Sequence, residues 1–412
     1  MKKYLFLLLS WALLLPVSAQ NDTVPVNVPV IVPVNVIVPD SVLPWPQSLQ
    51  ANIDTLIATS TLLNVSELGL MVYDLTADSA LYRYNHRHTL RPASNMKLVT
   101  AITALDRLGV NHQLRTTLYY KGALDSCTLL GDLYCVGSMD PLFDTDDLTA
   151  FVDGVRSLGI DTIRGRIMAD KSMKDSDLLG EGWCWDDDNP VLSPLLIGRK
   201  DVFTERFVQA LRKAGIVVEA QLGEGRLPAG ATYVVACVRR LSDVLPKMMK
   251  DSDNLFAESL FYQLAAASGT RPATAKHARQ IITKLIDKLG LPSSAYNIAD
   301  GSGLSLYNYL SPELEVALLR YAWSKDNIRI PLHASLPIAG RDGTLSKRMK
   351  RTVAEGNVHA KTGTLKGVTT LAGYCTAANG HVLCFAIMNQ GVLQTNRGRD
   401  FQDKLCVLLC QP

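Results

Sequence analysis

Metal-binding spacing is the first thing this chain lacks. No Cys-x-x-Cys and no His-Glu-x-x-His run occurs, so zinc held in either common arrangement is not expected. Among the seven histidines the one close pair is His86-x-His88, a spacing found more often at surfaces than around a metal. Charge of one sign is also scarce. The formal net charge is +3, and two of those positive charges are Lys2 and Lys3, which argues against a nucleic-acid partner or an anionic membrane surface. There is no internal repeat. The main apolar run, Leu5–Leu15, is short for a membrane span.

What stands at the N-terminus is an export signal. Lys2 and Lys3 precede that apolar run, and Val17-Ser18-Ala19 supplies a small-x-small site for cleavage before Gln20. An uncleaved anchor is the alternative. No cysteine follows the cleavage site, so a lipid-anchored N-terminus is not expected. The mature protein is expected outside the cytoplasm, in the periplasm or cell envelope, without an integral membrane span. Residues 20–45 are rich in Val, Pro and Asn, and proline at that density favours an extended linker. With 47% hydrophobic and 20% charged residues, the remainder reads as globular, with room for more than one domain.

Eight cysteines in an exported chain permit disulfides. Asn379-Gly380 is a strong two-residue hairpin signal, and pairing strands around it sets Cys375 opposite Cys384. A turn at Leu130-Gly131-Asp132 would likewise set Cys127 opposite Cys135. The other reading of all four is that they are small buried hydrophobes.

Helical periodicity marks 48–63, 148–158, 203–214, 241–250, 255–267, 275–289 and 400–409, and strand patterns mark 69–74, 80–84, 368–375 and 381–388. Regular structure at both ends around a turn-rich middle suggests a split domain, 46–115 and 231–412, interrupted by an inserted domain over 116–230.

Three short motifs carry chemistry. Ser94 and Lys97 lie one turn apart at the start of a helix whose apolar positions are Leu98, Ile102, Leu105 and Leu108. A serine hydroxyl needs a base before it is a nucleophile, and a buried lysine of lowered pKa can serve. Burial, Lys361 and the helix N-terminus are all expected to lower it. Ser252-Asp253-Asn254 sits in a loop between helices, where Ser252 and Asn254 can face one cavity. Lys361-Thr362-Gly363-Thr364 reads as an edge strand, with Gly363 leaving room for a substrate backbone. Taken singly, each has a bland reading as a helix start, a loop or a turn.

Together and in this order, Ser-x-x-Lys, Ser-Asp-Asn and Lys-Thr-Gly are the set found in penicillin-binding proteins and class A β-lactamases. More closely, the chain resembles the class C low-molecular-mass penicillin-binding proteins, the D-Ala-D-Ala carboxypeptidase/endopeptidases. The resemblance runs from about residue 46 to the C-terminus and includes Gly137-Ser138-Met139-Asp140-Pro141, Asp300-Gly301-Ser302-Gly303 and Leu336–Leu345. It implies an α+β, transpeptidase/β-lactamase-like fold: an antiparallel sheet packed between helices, with an insertion between the first and second motifs. It also implies roles. Ser94 would be acylated with Lys97 as its base, and Ser252 would relay a proton to the leaving amine. Asn254 would hold the peptide amide and Lys97, while Lys361, Thr362 and Gly363 would form the carboxylate-binding strand. The amides of Ser94 and Thr364 would make the oxyanion hole. Peptidoglycan peptides would be the substrates and β-lactams covalent inhibitors, with no metal or organic cofactor. The alternatives are a serine β-lactamase or esterase, and an envelope scaffold or sensor with little catalysis.

Overall fold

The computed structural model describes residues 43–185 and 189–411. The expected signal and most of the expected linker lie outside them. A five-stranded antiparallel sheet forms the centre, in the order His359–Leu365, Gly367–Thr376, Val382–Val392, Glu67–Asp74, Ser79–Tyr84. His359–Leu365 is therefore an edge strand. Side chains alternate across a strand, and here both faces are covered. Leu68, Leu70 and Val72 join a core with the helices Gln47–Thr59 and Thr395–Cys410, while Met71 and Tyr73 join another with Met96–Arg107, Asn254–Ala266 and Pro312–Trp323. Double coverage explains why Glu67–Asp74 reads as a nearly unbroken apolar run.

A second sheet of seven strands lies between Gln113 and Arg240. It has a separate core, in which Phe151, Phe203 and Phe207 from the helices Thr145–Arg156 and Phe203–Lys213 pack on Leu118, Leu129 and Ile163. Its pairing is mixed, antiparallel for the long hairpin Gln113–Asp125/Thr128–Val136 and parallel for the short strands beyond it.

Both expected cysteine pairings fail, each for a reason of register. The loop of the second hairpin spans Ala377–His381, with Ala377 N–H bonded to the His381 carbonyl at 2.8 Å, so Thr376 faces Val382 and Cys375 faces Leu383. That one-residue offset from a tight Asn-Gly turn sends the two cysteines to opposite faces of the sheet. Cys375 joins the core beneath Thr395–Cys410 and Cys384 the core on the other side. In the first hairpin the turn is Ser126-Cys127, with Ser126 at φ 51°, and Cys135 pairs with Leu118. Gly131 is not a turn residue. It lies mid-strand opposite Gly122, where a Cβ would fall 2.3 Å from the Lys121 carbonyl oxygen. All eight cysteines, which lie among the described residues, are free thiols.

The helices Pro312–Trp323 and Asp326–Ser335 are additions to the sequence reading. The first carries a recognisable start: the Ser311 hydroxyl accepts from the Leu314 amide at 3.2 Å, and Pro312 occupies the first turn.

Candidate active site

The three motifs meet where the edge strand, the start of the Met96–Arg107 helix and the start of the Asn254–Ala266 helix converge. Ser94 lies in a single 3₁₀ turn, Ala93–Asn95, leading directly into Met96–Arg107. That turn is braced from two sides. Asn95 donates to the buried Glu315 carboxylate at 2.9 Å, and burial pushes Glu315 up to about 8. On the other side the turn abuts the edge strand. A Cβ on Gly363 would lie 2.0 Å from the Thr370 hydroxyl, 2.7 Å from the Pro92 carbonyl and 3.0 Å from the Ser94 nitrogen. The space glycine leaves is thus filled by the turn that carries Ser94, where the sequence reading reserved it for a substrate. The same contact sets the Ser94 amide beside the strand segment holding Thr364.

Lys97 is fully buried, and its Nζ makes three hydrogen bonds: to Ser94 Oγ at 3.0 Å, to Asn254 Oδ1 at 2.7 Å and to the Ser302 carbonyl at 2.7 Å. Two of these partners are carbonyl oxygens, which only accept. A neutral amine therefore spends its two N–H bonds on Asn254 and Ser302 and turns its lone pair to the Ser94 hydroxyl. Burial lowers the Lys97 pKa to about 8, against the opposing pull of Asp300, Glu258 and Asp253. Burial, one of the three expected causes, is the leading one, and the neighbouring carboxylates oppose it.

Ser302 was not assigned a role from sequence. Its carbonyl is aimed by Glu258, which accepts from the Gly301 and Ser302 amides at 3.1 and 2.8 Å, and by Asp300, which accepts from the Gly303 and Ser305 amides at 2.7 Å each. Glu258 is buried and pushed up to about 8, by desolvation first and Asp300 second. The signal for it was available. An acid in the largely apolar run Leu255–Ala266, whose other polar residues are Ser259 and Gln263, has no wet face to occupy.

Ser252 sits at φ 60°, just before Asp253, whose carboxylate caps the next helix by accepting from the Leu255 amide at 3.0 Å. Arg199 pairs with the same carboxylate. Lys361 Nζ donates to Ser252 Oγ at 2.8 Å and to the Thr362 carbonyl at 2.7 Å. It too is fully buried, and desolvation followed by the Lys97 charge holds it well below the ordinary lysine value. The Thr362 hydroxyl donates to that of Thr344 at 2.8 Å. Thr344 lies in a 3₁₀ turn fixed by Asp342, which accepts from Lys250 at 2.5 Å and from the Ile338 amide at 2.9 Å. All eight residues singled out from the sequence therefore converge: Ser94, Lys97, Ser252, Asn254, Lys361, Thr362, Gly363 and Thr364. Above them opens a groove of about 610 Å³, on which Ser94, Ser252, Thr344, Thr362, Thr364 and Arg399 border. The arrangement can activate a hydroxyl, feed a proton to a leaving group and bind an anion, as acyl transfer requires. His86 and His88 lie elsewhere, against Glu313 and Glu67.

Comparison with known proteins gives relatives over most of the chain. A family model described as D-Ala-D-Ala carboxypeptidase 3 (S13) matches residues 49–195 and 199–411. The D-alanyl-D-alanine carboxypeptidase of Actinomadura sp. (strain R39) is 29% identical, over 78% of this chain and 77% of its own. The fold is similar to that of penicillin binding protein 4 (dacB) from Haemophilus influenzae, with a TM-score of 0.79 and 24% identity, covering 86% of this chain and 99% of that one. A second structure of that protein, complexed with a β-lactam, superposes with a TM-score of 0.72 at 24% identity and the same coverage of both chains.

Proposed function

The chain belongs to the D-Ala-D-Ala carboxypeptidase 3 (S13) family, and from that membership we propose that Ser94 is the acylated nucleophile of a serine carboxypeptidase acting on peptidoglycan peptides. The observation that carries the assignment is the aim of Lys97: a buried amine, 3.0 Å from the Ser94 hydroxyl, with both other partners restricted to accepting.

Neutral Lys97 takes the Ser94 proton as Oγ attacks the carbonyl carbon of the penultimate D-alanine. The oxyanion forms between the amides of Ser94 and Thr364. The Lys361–Ser252 pair, joined at 2.8 Å, returns a proton to the departing amine, so that D-alanine leaves as a neutral-nitrogen species. Water then attacks the ester, with its proton taken by the same basic pair, and Ser94 is restored. Asn254 has a second job, since its amide group holds Lys97 while bordering the site. Thr362 and Gly363 belong to the strand along which the peptide lies. A cross-linked peptide offers the same bond, so an endopeptidase activity shares this machinery.

An export signal over 1–19 and a linker over 20–45 deliver the enzyme to the periplasm, where its polymeric substrate is. The segment 116–230 falls within an inserted domain, a reading supported by the separate sheet between Gln113 and Arg240 and its aromatic core around Phe151 and Phe203. β-Lactams acylate the same serine, because they offer the same attack on an amide carbonyl.

The test is direct. A labelled penicillin should modify the peptide containing Ser94, and Ser94→Ala should abolish both labelling and D-alanine release from a pentapeptide. Label on Ser252 or Ser302 would overturn the assignment. Rapid penicillin turnover without D-alanine release would favour a β-lactamase.

A further inference from the structure

Both lysines of the site are poor candidates for holding a carboxylate. Lys97 and Lys361 are fully buried beneath the groove, and burial lowers the affinity of each for its proton. A peptide with a free C-terminus nevertheless brings a permanent negative charge into that groove. We propose that Arg399 receives it, as a substrate-binding residue for the terminal carboxylate that lies outside the three motifs.

The placement of Arg399 is built from the sheet. Thr364 pairs with Thr369 across the first two strands, and Gly398 rests on Thr369 so closely that a Cβ would fall 2.3 Å from its hydroxyl. That contact seats the first turns of the helix Thr395–Cys410 beside the end of the edge strand. Arg399, the next residue, extends Nη2 to within 3.5 Å of the Thr364 hydroxyl and borders the groove together with Ser94, Ser252 and Thr362. Its backbone is held too: Arg348 donates to the Arg399 carbonyl at 3.3 Å and is itself fixed by Asp403 at 2.7 Å.

The charge of Arg399 is unspent. Among the described residues it forms no ion pair, whereas Arg348, also bordering the groove, is committed to Asp403. Asp400 borders the same groove without an ion pair to Arg399 among the described residues, and Asp403, which also borders it, is held by Arg348. A guanidinium keeps its charge where a desolvated lysine does not, and its fork matches a carboxylate with two parallel bonds. The Thr362 hydroxyl donates to Thr344, so the Thr364 hydroxyl, whose proton is free, and Arg399 form a two-sided anion receptor. Lys347 is the rival cation in the groove, but it is exposed and has a flexible stem.

This inference rests on the proposed function, and the test keeps the two apart. Two thiolesters sharing one acyl half are compared on the full-length protein: one has thioglycolate as leaving group, the other thioglycolamide. Both give the same Ser94 ester, so deacylation is common to them and only the carboxylate differs. Wild type should prefer the thioglycolate substrate. Arg399→Gln should lower kcat/KM for that substrate by about 10–100-fold, the loss of a charge-assisted pair, and leave the amide substrate within about twofold. Arg399→Lys should restore part of the preference, and Lys347→Gln should leave it at the wild-type value. Equal losses on both substrates would show a merely structural role and overturn the proposal, as would an unchanged ratio or a ratio abolished by Lys347→Gln. A wild-type protein that cleaves neither thiolester and takes up no penicillin would overturn the function itself, and this assignment with it.

Discussion

The proposed base, Lys97, implies a pH profile that can be worked out in advance. Lys97 is lowered from 10.5 to about 8 by burial, a difference of about 3 kcal/mol between its two protonation states. At pH 6 about 1% of it is neutral, at pH 7 about 10%, and at pH 9 about 90%; an ordinary lysine at pH 7 would offer roughly two-hundred-fold less base. Attack by Ser94 needs the neutral form, so the second-order rate of acylation should rise about tenfold per pH unit up to about 8 and then level. The measurement is the stopped-flow acylation rate with a fluorescent penicillin from pH 6 to 9.5. Glu258 is also raised to about 8, so the limb needs an owner. Glu258→Gln removes one of the negative charges that hold the proton on Lys97. If Lys97 owns the limb, the rise survives in this variant and moves to lower pH. A flat profile, a rise centred near 10, or a limb that vanishes in Glu258→Gln would each refute the role given to Lys97.

Two further outcomes follow from the packing. Gly363→Ala puts a methyl 2.7 Å from the Pro92 carbonyl and 3.0 Å from the Ser94 nitrogen; overpacking against backbone should cost about 1–3 kcal/mol of stability and slow penicillin acylation well beyond what that loss explains. A variant that melts and labels like wild type would show that the turn is not held there. Cys375 and Cys384 face different cores, so peptide mapping of unreduced protein should find no link between them, and a joined peptide would show the register to be wrong.

The candidate site residues were legible in the sequence because their spacing is local. Ser94 and Lys97 are one helical turn apart, Ser252 and Asn254 flank a capping aspartate, and Lys361 to Thr364 lie on one strand. Helix bounds were also legible from apolar periodicity: Leu241–Lys250 runs as read. What stayed hidden depends on contacts between distant segments. The carbonyl of Ser302 reaches Lys97 only because Glu258 and Asp300 fold its loop. Arg399 reaches Thr364 only because Gly398 lies on the neighbouring strand. The cysteine pairing failed on a single residue of register, which hairpin chemistry alone cannot fix when the loop is five residues long.

The central sheet also dictates an order of events during synthesis. Glu67–Asp74 pairs on one side with its neighbour Ser79–Tyr84, but on the other with Val382–Val392. Where that seam ends, Asp74 meets His381 across 307 residues of chain. Joining ends that far apart costs about 5 kcal/mol in loop-closure entropy beyond a constant term, and no part of that closure can begin until the last strands exist. A growing chain therefore carries an early hairpin with one unpaired edge, the kind of surface that invites aggregation. The segment between Gln113 and Arg240 has its own core and escapes the wait. The turn bearing Ser94 does not: its brace, the strand with Gly363, arrives near the end. Partly made chains accordingly hold Ser94 in an unassembled site that is completed only late.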